Sequence, residues 1–102
     1  MKKYILVLDI GTTNVKAFIF DKQGKIITQA IEKTKYIIKT LGQVEQDPFE
    51  IWNLCKKVIN RVIKKKRLKY NNFYSMGLTS QRGSFLLWNK VTGEKYTNII
   101  TW

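Results

Sequence analysis

Residues 3–21 read KYILVLDIGTTNVKAFIFD. Lys3 to Asp9 are short, apolar and rich in Ile, Val and Tyr, which predicts a buried strand. Gly11-Thr12-Thr13-Asn14 is a turn, with Gly11 supplying freedom at positive φ and hydroxyls able to bond nearby backbone. Val15 to Asp21 alternates apolar and polar residues and reads as the returning strand. A second turn at Lys22-Gln23-Gly24-Lys25 leads into a more polar third strand from Lys25 to Lys35. The three together predict an antiparallel meander.

Beyond the meander, residues 42–48 (GQVEQDP) read as a loop entering a helix. Asp47 suits the N-cap, Pro48 the first helical position, and Glu50 the positive end of the helix dipole. Ile51, Trp52, Leu54, Cys55, Val58, Ile59, Val62 and Ile63 recur at spacings of three and four, so the helix is amphipathic and runs to about Leu68. Trp52 is assigned to the core, and Cys55 reads as a small buried hydrophobe rather than a nucleophile. Phe73 to Thr79 predicts a fourth strand, placed beside the first by a crossover through the helix. Ser84–Trp88 and Tyr96–Trp102 read as shorter strands around a turn at Lys90-Val91-Thr92-Gly93, with Trp88 in the core.

The order β-β-β-α-β opens a mixed α/β sheet. It resembles the opening half of the ribonuclease-H-like core of actin-type ATPases, here with an added hairpin. That core needs a fifth strand and helices on both faces, so the chain reads as a partial domain cut from a larger product. A truncated sheet of this kind exposes a strand edge and apolar surface, which favours aggregation or a partner.

Composition narrows the function. One domain with a modest core fits 102 residues. Histidine is absent, which excludes Ser-His-Asp triads, Cys-His catalysis and His-ligated metals. A single cysteine excludes an internal disulfide framework and multi-cysteine zinc sites. The N-terminal apolar run is broken at Asp9, no small-residue cleavage site follows, and no run approaches a membrane span, so the chain reads as cytoplasmic with a reducing environment around Cys55. The net charge is +12, and no acid occurs between Glu50 and Glu94. The basic cluster there, Lys56 to Lys69, could attract nucleic acid or an anionic surface. It reads better as the solvated face of the helix, since no aromatic is interleaved among the lysines.

Asp9-Ile10-Gly11-Thr12-Thr13-Asn14 puts a carboxylate at a strand end beside a tight turn bearing two hydroxyls. Such a turn suits a nucleoside triphosphate: backbone N–H groups near Gly11 approach phosphates, and Thr12 and Thr13 donate O–H bonds. Asp9 would act through Mg2+, by way of a bound water, and Lys16 would add positive charge. The same residues also make an ordinary hairpin with Asp and Gly as turn formers.

Five blocks bear on that choice: Asp9 to Thr13, Gly42 to Pro48 with Ile51-Trp52, Gly77 to Arg82, Trp88 to Gly93, and Asn98 to Trp102. In order and spacing they resemble the FGGY carbohydrate kinase family, nearest its glycerol-kinase-like members. The resemblance implies phosphoryl transfer from ATP with Mg2+ to a hydroxyl of a sugar or polyol. It places Asp9 near the metal and lines the phosphate loop with Gly11, Thr12 and Thr13. Lys16 stands in place of an arginine, which keeps the charge without the bidentate fork. Arg82, with Gln81 beside it, is implied to bind substrate hydroxyls, and Trp102 to wall the carbon chain. Gly83 occupies the position of a glutamate; losing that carboxylate removes a contact worth on the order of 1.5–3 kcal/mol and opens space, which favours a bulkier polyol or ketose over glycerol.

The resemblance also puts the general base, the second phosphate loop and the adenosine pocket beyond Trp102. Glu45, Asp47 and Glu94 do not replace the base, so the chain alone is expected to lack kinase activity. The small-molecule partner is a sugar or polyol, and a homo-oligomer or complementing chain is a further possibility. Three rival readings are a small basic nucleic-acid-binding domain, a metal-dependent nuclease, and a non-catalytic module that pairs with another polypeptide. The nuclease needs converging carboxylates, and the fourth strand ends in Thr79-Ser80-Gln81 with none.

Overall fold

A computed structural model describes residues 2–40 and 42–102. The meander forms as β1 (Tyr4–Ile10), β2 (Asn14–Phe20) and β3 (Ile26–Lys33), paired antiparallel in sequence order. Leu8 faces Ala17 across β1–β2, and Ala17 faces Ala30 across β2–β3. Cross-strand partners share a face, so Leu6, Leu8, Val15, Ala17, Ile19 and Ala30 form one buried apolar surface.

Helix α1 (Pro48–Lys65) lies on that surface after a two-residue strand β4 (Ile37–Ile38) and a three-residue strand β5 (Val44–Gln46). Asp47 caps it by accepting from the Phe49 N–H at 3.0 Å, and Pro48 and Glu50 take the expected first-turn places. Its buried stripe is Ile51, Cys55, Val58 and Val62. Burial pushes the Cys55 thiol above its ordinary pKa, in keeping with an inert core residue.

The helix stops three residues short of Leu68. Arg67 takes a left-handed conformation at φ 52°, its N–H bonds to Lys64 O, and Leu68 N–H bonds to Ile63 O, both at 3.1 Å. This is a Schellman ending, and it seats Leu68 against the core. Glycine usually fills the left-handed position, so the arginine gave no stop signal.

Trp52 does not enter the core. One position off the buried stripe, it is turned about 100° around the helix and is 59% exposed, with Lys56 Nζ 5.6 Å from the ring centre. Trp88 is also outside, because the strands expected at Ser84–Trp88 and Tyr96–Trp102 are mostly not formed. Isolated bridges join Phe85 to Ile100 and Trp88 to Lys95 instead. The turn between them is closed by Asn89, whose Oδ1 accepts from Val91 N at 2.8 Å and Thr92 N at 3.2 Å.

Strand β6 (Phe73–Ser80) pairs parallel with β1, giving the sheet order β3-β2-β1-β6. The short strands β4 and β5 pair with β7 (Ile99–Ile100) in a second sheet. Residues 44–46, read as loop, thus pair on both sides. Helix α1 covers β2 and β3 and touches β1 more lightly. Met76 and Leu78, in register with Leu6 and Leu8, lie on the same face beyond the helix and stay 50% and 67% exposed. The body is thin, 49 × 30 × 21 Å, and its radius of gyration of 15.5 Å exceeds the roughly 13 Å of a compact chain this long. Among the described residues no helix is long and apolar enough to cross a membrane.

The lysines of α1 lie on its outer flank with local partners: Lys57 Nζ reaches Glu32 at 3.3 Å, and Lys65 Nζ donates to Gln29 O at 2.9 Å. The nucleic-acid reading gains no support from this arrangement. Glu32 pairs with Val15 across the ladder and so faces the helix, where Arg61 donates to it. Arg61 first, then Lys57, holds the Glu32 carboxyl below its ordinary pKa. A depressed pKa contributes stability above the unfolded carboxylate range, lost as pH falls through the folded value. Glu32→Gln is therefore expected to flatten the acid side of the stability profile. Urea midpoints measured from neutral pH down to pH 3 should fall less steeply for the variant than for the parent.

Candidate functional site: the turn after the first strand

Strands β1 and β6 run parallel and end at the same edge, where the loops 11–14 and 81–84 leave the sheet. In open α/β sheets this carboxyl edge is where ligands collect. Asp9 stands one residue before the end of β1, in register with Lys16 on one side and Thr79 on the other. Leu8 faces the helix, so Asp9 faces away from it. Among the described residues its carboxylate has no hydrogen-bond or ion-pair partner, although it is half-buried.

Gly11 opens the turn, for a different reason from the one the sequence suggested. Its φ is not positive. A Cβ built there would lie 2.9 Å from the Asn14 carbonyl oxygen, the same oxygen that accepts the Gly11 N–H at 2.9 Å. Close backbone approach, not left-handed φ, demands the glycine.

The next residues are held from behind by their carbonyls. Thr12 O accepts from Gln46 Nε2 at 2.8 Å and from Thr34 Oγ1. Thr13 O accepts from Thr34 Oγ1 at 3.0 Å and from Thr34 N at 2.9 Å. Gly11 O accepts from Gln81 Nε2 at 3.2 Å. The threonine N–H groups have no such ties: among the described residues, those of Thr12 and Thr13 donate to no protein acceptor. Acceptors engaged by the protein beside unengaged donors give the turn the polarity an anion requires. Thr13 Oγ1 also lies 3.4 Å from the Tyr36 hydroxyl.

The expected substrate-side residues lie on neighbouring loops. Gln81 is turned inward, with Nε2 shared between Gly11 O and Gln46 Oε1 and its Oε1 accepting from Ser84 Oγ at 2.6 Å. Arg82 is exposed, and Gly83 follows at φ 68°, where any L side chain would be strained. Trp102 is 76% exposed just past Thr101, whose Oγ1 donates to Val44 O at 2.7 Å. The Arg82 and Trp102 segments are joined by two backbone bonds between Phe85 and Ile100, of 3.1 and 2.8 Å.

Thr34, Gln46 and Ser84 were not singled out by sequence reasoning. Thr34 and Gln46 are buried, Gln46 completely. A polar residue just before a helix cap carries no periodic signal, and only its place among the five blocks set Gln46 apart.

For a magnesium ion the donor chemistry fits. Mg2+ keeps several waters and takes one or two carboxylates plus substrate phosphates, and Asp9 supplies one unengaged carboxylate beside unengaged donors. No group of three or more His, Cys, Asp or Glu side chains among the described residues could form a closed metal cage.

Residues 4–102 match the N-terminal domain of the FGGY family of carbohydrate kinases. The chain is 39% identical, over its whole length, to a glycerol kinase of Beijerinckia indica subsp. indica, and 42% identical over 101 residues to one of Mycoplasmoides gallisepticum. It spans about a fifth of the length of each, 20%. Among solved structures, a gluconate kinase of Lactobacillus acidophilus superposes on all of this chain at TM-score 0.88 with 28% identity, across 20% of its own length. A Plasmodium falciparum glycerol kinase with ADP matches over 97% of this chain at TM-score 0.86 and 27% identity, again across 20% of its length. The chain belongs to the FGGY family of carbohydrate kinases, and its fold is the start of their actin-like, ribonuclease-H-like domain.

The turn makes one steric demand that can be tested directly. Gly11→Ala must push the Cβ into the Asn14 carbonyl or open the turn. Urea denaturation is expected to show a loss of about 1–3 kcal/mol.

Proposed function

We propose that this chain carries the first phosphate turn and part of the acceptor-substrate wall of an ATP-dependent carbohydrate or polyol kinase acting in the cytoplasm. The observation that carries this reading is the unpartnered Asp9 carboxylate beside a turn whose carbonyls are tied back and whose Thr12 and Thr13 N–H groups are free.

Phosphoryl transfer depends on positioning and charge neutralisation more than on covalent steps by the protein. Thr12 and Thr13 would donate N–H and O–H bonds to phosphoryl oxygens, and Lys16 would offset their charge. Asp9 would hold Mg2+, chiefly through water; the bound ion would neutralise charge on the phosphates. Arg82 would take hydroxyls of the acceptor and Trp102 would line its carbon chain. Gln81, bonded beneath the turn, would set the height of the Arg82 loop. Gly83, in a left-handed conformation that strains an L side chain and with open space where a Cβ would stand, would leave room for an acceptor bulkier than glycerol.

The general base lies elsewhere. Glu45 accepts from Asn98 Nδ2 at 3.0 Å, and Asp47 caps α1. The reading therefore treats residues 1–102 as part of the N-terminal domain and takes the base and the facing wall from further sequence or a complementing chain. Alone, the 102 residues would be inactive.

Two substitutions in a full-length polypeptide separate the roles. Asp9→Ala is expected to abolish ADP release in a coupled assay; an unchanged kcat would end the metal role. Arg82→Ala is expected to raise KM for the sugar or polyol while leaving KM for MgATP near that of the parent. An effect confined to ATP would contradict the assignment.

A further inference from the structure

Among the described residues one polar side chain is fully buried, Gln46, at the meeting point of three loops. Its Nε2 donates to Thr12 O of the phosphate turn at 2.8 Å. Its Oε1 accepts from Gln81 Nε2 of the Arg82 loop at 2.7 Å. Its backbone pairs with Ile99, in the strand that leads to Trp102.

The chemistry allows one direction only. The Thr12 carbonyl can only accept, so Gln46 must present its amide nitrogen there. That leaves Gln46 Oε1 for the Gln81 amide, which in turn leaves Gln81 Oε1 for the Ser84 hydroxyl. Gln81 sends its second N–H bond to Gly11 O at 3.2 Å. The chain Ser84–Gln81–Gln46–Thr12 is complete, and no buried side-chain polar atom among the described residues lacks a partner. Breaking one link strands a buried donor or acceptor, which costs more than the bond itself contributes.

We infer that Gln46 is a positioning residue that locks the phosphate turn and the Arg82 loop into one fixed spacing, so that nucleotide-side and acceptor-side geometry are set together. This rests on the kinase reading for its consequence in turnover, though not for the coupling of the two loops. Orientation errors of about an ångström, even remote from the chemistry, cost up to about a hundredfold in rate. A lock shared by both substrate sides has a recognisable signature.

The test uses the full-length polypeptide. Gln46→Leu keeps the size and removes both side-chain bonds. KM for MgATP and KM for the acceptor are expected to rise together, with kcat/KM for each falling about 10- to 100-fold. Ser84→Ala breaks the outermost link and leaves Gln46 satisfied; it should raise KM for the acceptor and spare MgATP. A folded Gln46→Leu protein with both KM values and kcat at parent levels would overturn the inference, as would a change in one KM alone. If Gln46→Leu does not fold, Gln81→Met cuts the same chain from the partly exposed side and is expected to give the same paired rise. Amide hydrogen exchange gives a readout free of turnover: residues 11–14 and 81–84 should loosen together in the variant. Loosening confined to the neighbours of residue 46 would refute the coupling. A parent protein without turnover on any polyol or sugar would refute the kinase reading, and exchange would still decide the coupling.

Discussion

The Thr12 carbonyl oxygen is the point on which the site is built. It takes a hydrogen bond from Gln46 and another from Thr34, and both donors come from segments distant in sequence. A turn of small polar residues has many conformations close in energy, and ordering each residue costs about 1–2 kcal/mol. Buried bonds to the carbonyls of Gly11, Thr12 and Thr13 select one. In that one the carbonyls are bonded to the protein, and the Thr12 and Thr13 amides have no acceptor among the described residues. In the proposed function, anion recognition would thus follow from where the acceptors are satisfied rather than from any positively charged group in the turn.

The same donors depend on the sheet and helix. Gln46 is buried because β5 pairs with β4 and β7 and because Asp47 immediately starts α1. Thr34 follows β3 and reaches the turn because β2 and β3 pair in register, Asn14 opposite Lys33. The helix holds this register by covering one face of the meander with Ile51, Cys55, Val58 and Val62. A slip of one residue would carry Asp9 to the covered face. Packing on one side of the sheet therefore sets the chemistry on the other.

The uncovered face of β6 has the opposite meaning. Met76 and Leu78 continue the apolar surface that α1 covers elsewhere, and both stay at least half exposed. Trp52 and Trp88 are exposed as well.

Much of this was legible in the residues. Alternation and apolar runs predicted the meander, the Asp-Pro pair predicted the start of the helix, and the crossover strand followed from their order; the ends differed by at most three residues. Asp9, Gly11, Thr12, Thr13 and Lys16 lie together because they are nearly contiguous in a hairpin, and short-range geometry is what sequence specifies best. Trp52 and Trp88 were misplaced because hydrophobicity reports a preference for burial and not whether a partner surface exists. Gln46 and Thr34 gave no signal of their own for a further reason: a lone polar side chain shows its value only when folding brings a carbonyl to it from tens of residues away. The chain by itself determined which residues could meet a phosphate; the tertiary structure decided which of the turn's polar groups stay unengaged, because that is set by hydrogen bonds between segments that only the packed core brings into contact.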